Sequence, residues 1–422
     1  MSNFASVKHL ADKAGRLLLT TAMIMAAAFA VVPAKAQTAS DSIELSLLTC
    51  SPNQRIYGLY GHTALRLHDL KTGEDWAFNY GVFNFKTSFF ALKFLFGLTD
   101  YELAVMPMSY FREEYTRMKC RVTEQVLNLN AEEKQRMVAA LEENYLPQNR
   151  TYRYNYFYDN CTTRARDMIE RSVNGRVDYG KGNGNDADGQ SYRKMVHGYT
   201  AQHPWAAVGN DLCLGLKADR STTWRERQFL PENLMRDLDK AGIVSPDGTV
   251  RPAVAATRIV TSGGEQAVSK EFPLSPTGCA AILLAVTLLI CIIEIVTHDM
   301  MRRYDALLMT AQGIAGLILT ALLFSEHPTT STNLQILLFN PLPLLFLRKA
   351  LKGKARAWWR IETVLVLLFF IGGLVQDYAE GMEIVALCLL SRCTMHLFAC
   401  RRLHIKEQPL RLKGGSINYR RK

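Results

Sequence analysis

The last third of the chain carries five apolar runs, at residues 278–297, 306–324, 333–347, 361–375 and 382–400. Helices that are apolar on every side need either a very large core or lipid around them, and a membrane span takes about 20 apolar residues. The third and fourth runs fall short of that length. The third also contains Asn340-Pro341-Leu342-Pro343, which predicts a kink or a partial span. Loop charges order the rest. Arginine and lysine crowd the loops after the first run (Arg302, Arg303) and the third (Arg348, Lys349, Lys352, Lys354), and residues 401–422 form a basic tail. The loops after the second run (Ser325-Glu326-His327-Pro328) and the fourth (residues 376–380) contain neither. Basic loops stay in the cytoplasm, so the pattern predicts about five helices over 278–400, a cytoplasmic C-terminus and an exported N-terminal half.

The N-terminus gives the same direction. Lys8, Lys13 and Arg16 precede an apolar stretch over 17–32 and the small-x-small sequence Ala34-Lys35-Ala36, the pattern of a signal peptide over 1–36. An uncleaved anchor is the alternative. No cysteine follows the cleavage site closely, so the chain does not read as a lipoprotein itself. The net charge of +11 sits mainly at the ends of the apolar runs, which speaks for membrane topology and against a nucleic-acid partner.

Residues 37–272 read as a folded exported domain of α+β class, followed by a linker over 273–277. Residues 43–48 and 63–68 alternate, and Lys71-Thr72-Gly73-Glu74 marks a hairpin into a return strand over 75–80. Residues 131–144 and 161–173 carry apolar side chains at helical spacing. Residues 177–190 are rich in glycine, asparagine and aspartate and predict a loop. The stretch 83–97 packs many phenylalanines around two lysines. It reads either as a core helix or as a surface segment in which Phe89 and Phe94 meet lipid or an acyl chain.

Two short segments carry the chemistry. In Asp159-Asn160-Cys161-Thr162-Thr163-Arg164, Asn160 stands where a helix N-cap belongs and Cys161 falls in the first turn. The positive end of the helix dipole favours its thiolate. In Tyr60-Gly61-His62, a turn leads into a strand that begins with a histidine, and a histidine within reach of the thiol makes a nucleophile–base pair. Arg164 and Asp167 read as an ion pair on the helix surface. The soluble half holds Cys50, Cys120, Cys161 and Cys213 with no C-x-x-C pair, which leaves a zinc site without its usual spacing. No cofactor or metal is expected. Export allows one disulfide among Cys50, Cys120 and Cys213. The cysteines of the apolar runs read as small packing residues.

Together with Leu48-Thr49-Cys50-Ser51-Pro52, residues 78–83, Asn149-Arg150, His327-Pro328 and Asn340-Pro341-Leu342, these segments resemble the Lnb family, the lipoprotein N-acyltransferases of the Bacteroides lineage. The resemblance runs over nearly the whole chain. It implies a circularly permuted papain-like (NlpC-type) domain, with the histidine ahead of the cysteine, and a helical domain in the bacterial inner membrane. By position, Cys161 is the nucleophile and His62 its base. Asn79 is the first candidate to orient His62, ahead of Asp75 and His68. Asn160 and the amides at the helix start, with Thr162 beside them, are the expected oxyanion hole. His327, on an outer loop, is a further candidate for the site. The expected reaction moves a phospholipid acyl chain through a Cys161 thioester to the amino group of a diacyl lipoprotein. The rival readings are a cell-wall peptidase or amidase, a phospholipase or thioesterase, and an envelope scaffold with a dead papain-like domain. The motifs do not specify acyl chain, head group or oligomeric state.

Overall fold

A computed structural model of the chain describes residues 42–83, 88–180, 187–266 and 272–399. The expected signal peptide, the basic tail, Cys400 and part of the phenylalanine-rich stretch lie outside the described residues. Strands β1 (Ile43–Cys50), β2 (His62–Asp69), β3 (Asp75–Val82), β4 (Asp100–Pro107), β5 (Arg121–Leu127) and β6 (Thr151–Arg153) belong to one sheet. Two small sheets follow: β7 (Arg176–Asp178) pairs with β10 (Gly242–Val244) and β10 with β11 (Val250–Pro252), while β8 (Ala187–Ser191) pairs with β9 (Ser221–Thr223). Part of the stretch expected to be a loop over 177–190 is therefore strand. The last strand, β12 (Val254–Ser262), returns to the large sheet, whose order is β12-β5-β1-β2-β3-β4-β6.

Side-chain alternation explains why this sheet is covered on both faces. Leu45, Leu47 and Leu65 point into the larger core, which also takes Met137 and Leu141 of one helix and Ala165 and Ile169 of another. Leu48, Ala64 and Ala77 point the other way, onto Met108, Phe111 and Tyr115. The helices are α1 (Phe90–Leu95), α2 (Met108–Arg117) on the second face, α3 (Ala131–Tyr145) and α4 (Cys161–Ser172) on the first, then α5 (Tyr192–Thr200), α6 (Pro204–Cys213), α7 (Trp224–Arg227) and α8 (Pro231–Asp239). The α+β class expected from the sequence is what the structure has.

The apolar runs form α9 (Pro276–Thr297), α10 (Arg302–Leu323), α11 (Leu342–Leu351), α12 (Arg356–Gly372) and α13 (Met382–Thr394). Among the described residues, three segments are long and apolar enough to cross a membrane: α9, α10, and Leu334–Leu351 taken through its break. Helices α12 and α13 are shorter, at 17 and 13 residues. The third run breaks as its prolines require. A 3-10 turn over Leu334–Leu337 ends before Asn340-Pro341, and α11 starts afresh. Gly316 of α10 receives that break, since a Cβ there would lie 2.1 Å from the Asn340 carbonyl carbon. Inside the bundle, Arg392 is fully buried and is held by Glu294 (2.6 and 2.8 Å) and Asp305 (2.7 Å), while His396 bonds the other Asp305 oxygen at 2.9 Å.

The two halves are joined by more than the linker. Asn333 donates to Leu212 O (2.7 Å), Gln335 to Asp211 O (2.7 Å), and the Gly215 amide to Thr329 O (2.8 Å). Arg193, fully buried, braces the receiving segment through Asp211 (2.8 Å) and Asp219 (2.6 Å). The loops that meet the exported domain are those after α10 and α12, the two without arginine or lysine, and the basic loops lie at the opposite ends of these helices.

Candidate active site

Helix α4 begins at Cys161 because Asn160 caps it. The Asn160 Oδ1 accepts from the amides of Thr162 and Thr163, both at 2.9 Å, and the Asn160 amide donates to Thr163 Oγ1 at 2.9 Å. Three of the four amides that open a helix without partners are thereby used. The fourth, that of Cys161, has no hydrogen-bond partner among the described residues. Asn160 Nδ2 is committed too, to Tyr156 O (2.8 Å) and Phe229 O (2.9 Å). Of the groups expected at the oxyanion hole, the Asn160 side chain is thus already committed. Asn160 is a cap and an anchor, and the Cys161 amide is the helix-start amide left without a partner among the described residues.

Thr162 ties the helix to the sheet. Its buried hydroxyl lies 3.0 Å from Thr63 Oγ1 and 3.8 Å from Cys161 Sγ. Thr63 follows His62 at the start of β2, so this link sets the thiol beside the imidazole. The turn before it needs Gly61. Its φ is +77°, and a Cβ would sit 2.6 Å from the Cys50 carbonyl oxygen. His62 Nε2 donates to Asn79 Oδ1 at 2.6 Å, which leaves Nδ1 for the thiol, and the ring lies parallel to Tyr115 with centroids 6.4 Å apart. Cys161, His62 and Asn79 come together. Asp75 instead pairs with Arg66 (2.7 Å), and His68, across the strands from Glu44 and Asp75, is six residues along β2 from His62.

Electrostatics follow from the geometry. Burial raises the Cys161 thiol, but the facing His62 charge, its hydrogen bond, the Thr63 amide and the Thr162 hydroxyl together bring it below the ordinary thiol value. Burial lowers His62, and the thiolate with the Cys161 and Asn79 hydrogen bonds carries it above the ordinary imidazole value. Opposed shifts of this kind favour a thiolate–imidazolium pair, the state that attacks an acyl carbon.

Sequence reasoning missed the wall of the site. A Cβ on Gly81, whose φ is +88°, would contact Cys161 Cβ (3.9 Å), the Tyr101 ring edge (4.0 Å) and the Tyr152 hydroxyl (4.0 Å). That hydroxyl is buried without a hydrogen-bond partner among the described residues. The Arg164 guanidinium lies 3.5 Å over the Tyr152 ring and is held by both Asp159 oxygens (2.6 and 2.7 Å). Arg164 therefore does not pair with Asp167, whose partners are Arg166 and Arg225. The density of tyrosines at 152, 154, 156 and 158 just before the cysteine was the available signal. Cys50, Cys120 and Cys213 are free thiols, as is Cys161, so the structure has none of the disulfides that export allowed. His327 bonds Phe94 O at 3.3 Å and takes its place against α1, where Phe89 and Phe94 are exposed. Of the described side chains of the phenylalanine-rich segment, Phe89, Leu92 and Phe94 thus face outward, while Phe83 packs against the larger core.

Two family models match the sequence: the Lnb N-terminal periplasmic domain over residues 31–196 and the Lnb transmembrane domain over residues 267–403. The chain belongs to the Lnb family. It is a membrane protein with an N-terminal periplasmic region, and Lnb membership points to a part in lipoprotein maturation. Comparison with curated proteins and with solved structures returned no match. The periplasmic match includes His62, Asn79 and Cys161. The residues between the two matches supply α6, which meets the membrane loops, and β12, which closes the sheet edge on β5.

Proposed function

We propose that this protein is a lipoprotein N-acyltransferase working by two-step acyl transfer through Cys161. The observation that carries the reading is the Cys161–His62–Asn79 constellation on a domain bonded to the outer loops of a membrane bundle. The order Cys-His-Asn by role is that of papain-like sites, and we read the domain as a permuted member of that class. We also read the bundle as five spans with the C-terminus in the cytoplasm, since the basic loops lie away from the periplasmic domain.

In the first step the Cys161 thiolate attacks a phospholipid acyl ester. The C–O bond breaks, the His62 imidazolium gives its proton to the leaving alkoxide, and a lysophospholipid departs. In the second, the free α-amino group on the lipidated N-terminal cysteine of a diacyl lipoprotein attacks the thioester. His62 takes a proton from that amine, the C–S bond breaks and the thiolate returns. Asn79 keeps Nε2 protonated and Nδ1 toward the sulfur. The free Cys161 amide and the Tyr152 hydroxyl are the donors for the oxyanion that forms at each step. No step requires a metal or cofactor.

The test is mass spectrometry of lipoprotein N-terminal peptides from cells that lack their own N-acyltransferase and express this protein or Cys161→Ala. One added amide-linked acyl chain with the unaltered protein alone is the expected result. Diacyl lipoproteins in both, at equal expression, would shift the reading to a hydrolase that gives the acyl group to water.

A further inference from the structure

Helix α1 and the residues that flank it expose more apolar surface than any packing role explains. Phe89 is 75%, Leu92 54% and Phe94 52% exposed. A contiguous apolar patch on a soluble surface marks a binding face, and the position of this one identifies what covers it.

The segment is fixed to the outer end of the membrane bundle. The Glu326 amide donates to Phe96 O at 2.9 Å, His327 Nε2 donates to Phe94 O, and Arg153 of the periplasmic domain reaches Glu326 at 2.7 Å. Gly97, with φ +69°, lies so near that a Cβ would come within 3.0 Å of His327 N. At the same end of the bundle Phe324 closes α10 and Leu374 and Val375 follow α12, all exposed. Exposed Phe89, Leu92 and Phe94 thus belong to a segment bonded to the end of the bundle where these apolar side chains are also exposed. At the entry to α9, Trp205 donates to Leu274 O and packs edge-on against exposed Phe272, as aromatic side chains do at a membrane–water boundary.

A row of aromatic side chains runs toward the thiol. Phe83 contacts Tyr101 with centroids 4.8 Å apart, Tyr101 stacks on Tyr154 at 4.1 Å, and the Tyr101 edge shares the Gly81 wall with Cys161. We propose that α1 is immersed in the outer leaflet of the bilayer, and that the acyl chain of a donor lipid passes from it along Phe83 and Tyr101 to Cys161. The immersion stands on geometry alone. The delivery role rests on the acyl-transfer reading.

The full chain in vesicles of phosphatidylethanolamine and phosphatidylglycerol tests both. A Leu92→Trp variant is compared with the unaltered protein in lipids brominated near the head group. The added tryptophan is expected to lose roughly half its emission, as a side chain seated at the head-group–acyl boundary would. Equal emission in brominated and plain vesicles would put α1 in water and overturn the proposal. The double variant Phe89→Ser with Phe94→Ser is expected to raise the apparent KM for vesicle donor about tenfold with an unshifted melting temperature. A KM that does not move, or one that rises only with a lower melting temperature, would overturn delivery. Intact-mass detection of an acyl group on Cys161 runs beside these. Quenching without any adduct on the unaltered protein would support immersion and remove the acyl-transfer reading instead.

Discussion

Arg392 in the membrane domain and Cys161 in the periplasmic domain both lie where burial penalises charge, and their surroundings are completed to different degrees. Around Arg392 the donors and acceptors match: both Glu294 oxygens and one Asp305 oxygen take the guanidinium, and His396 takes the other. Around Cys161 an amide and the Tyr152 hydroxyl have no partner among the described residues. A buried donor without an acceptor costs stability, so folding alone does not account for either. The matched cluster holds helices together. On the proposed acyl-transfer reading, the unmatched one keeps donors in reserve for a charge that exists only during reaction.

The largest effect should come from the nucleophile. Cys161→Ser is expected to lower acyl transfer by more than about 10^4-fold with the melting temperature kept, read as acyl-adduct formation by intact mass. Next comes the matched cluster. Arg392→Met leaves Glu294 buried without its counter-charge and Asp305 with His396 alone, at a cost of about 3–5 kcal/mol. Thermal unfolding in detergent should show the loss, while activity per folded molecule holds. A stable Arg392→Met protein would erase the distinction between the two regions.

Tyr152→Phe sharpens it. Removing an unpartnered hydroxyl should leave stability unchanged or slightly raised, and lower kcat on the order of 10^2-fold. Equal kcat would take Tyr152 out of the chemistry. Asn79→Ala should have the smallest effect, about tenfold in kcat/KM, but with a signature in pH. The active pair exists above the lowered Cys161 pKa and below the raised His62 pKa, so kcat/KM should be bell-shaped. Because the Asn79 hydrogen bond helps to hold the His62 pKa up, the variant's alkaline limb should move to lower pH. A profile that falls in height without moving would mean that Asn79 does not act through the imidazole.

The two clusters also differ in how far the sequence displayed them. Cys161 and Asn160 belong to one local pattern, a cap followed by a helix start, and His62 opens an alternating strand. Local physics writes those features into adjacent residues. Asn79 was legible as a candidate because the hairpin at 71–74 folds its strand back beside His62. The use of Asn160 Oδ1 by two amides was not, since a cap and an oxyanion donor look alike until the bonds are counted. Arg164 turns to Asp159 rather than Asp167 because Asn155 and Asp159 bridge just before the helix and fold the earlier carboxylate back. Glu294 and Arg392 come from the first and last apolar runs and Asp305 from just ahead of the second, and no spacing connects them before α9, α10 and α13 pack. The phenylalanine-rich segment was ambiguous for a similar reason. Composition records apolar area but not its direction, and the bonds from Phe94 and Phe96 to the 326–327 turn set that direction.

The bonds from Asn333, Gln335 and Thr329 to residues 211–215 have one more consequence. They fix the domain that carries the thiol against the outer loops of the bundle, so on the proposed acyl-transfer reading the protein measures depth as well as chemistry. On that reading a lipid presents its ester at that level while it drifts past in two dimensions, and a lipoprotein offers its terminal amine there too. Lengthening the linker at 273–277 would not relax this ruler, because the ruler is made of the loops.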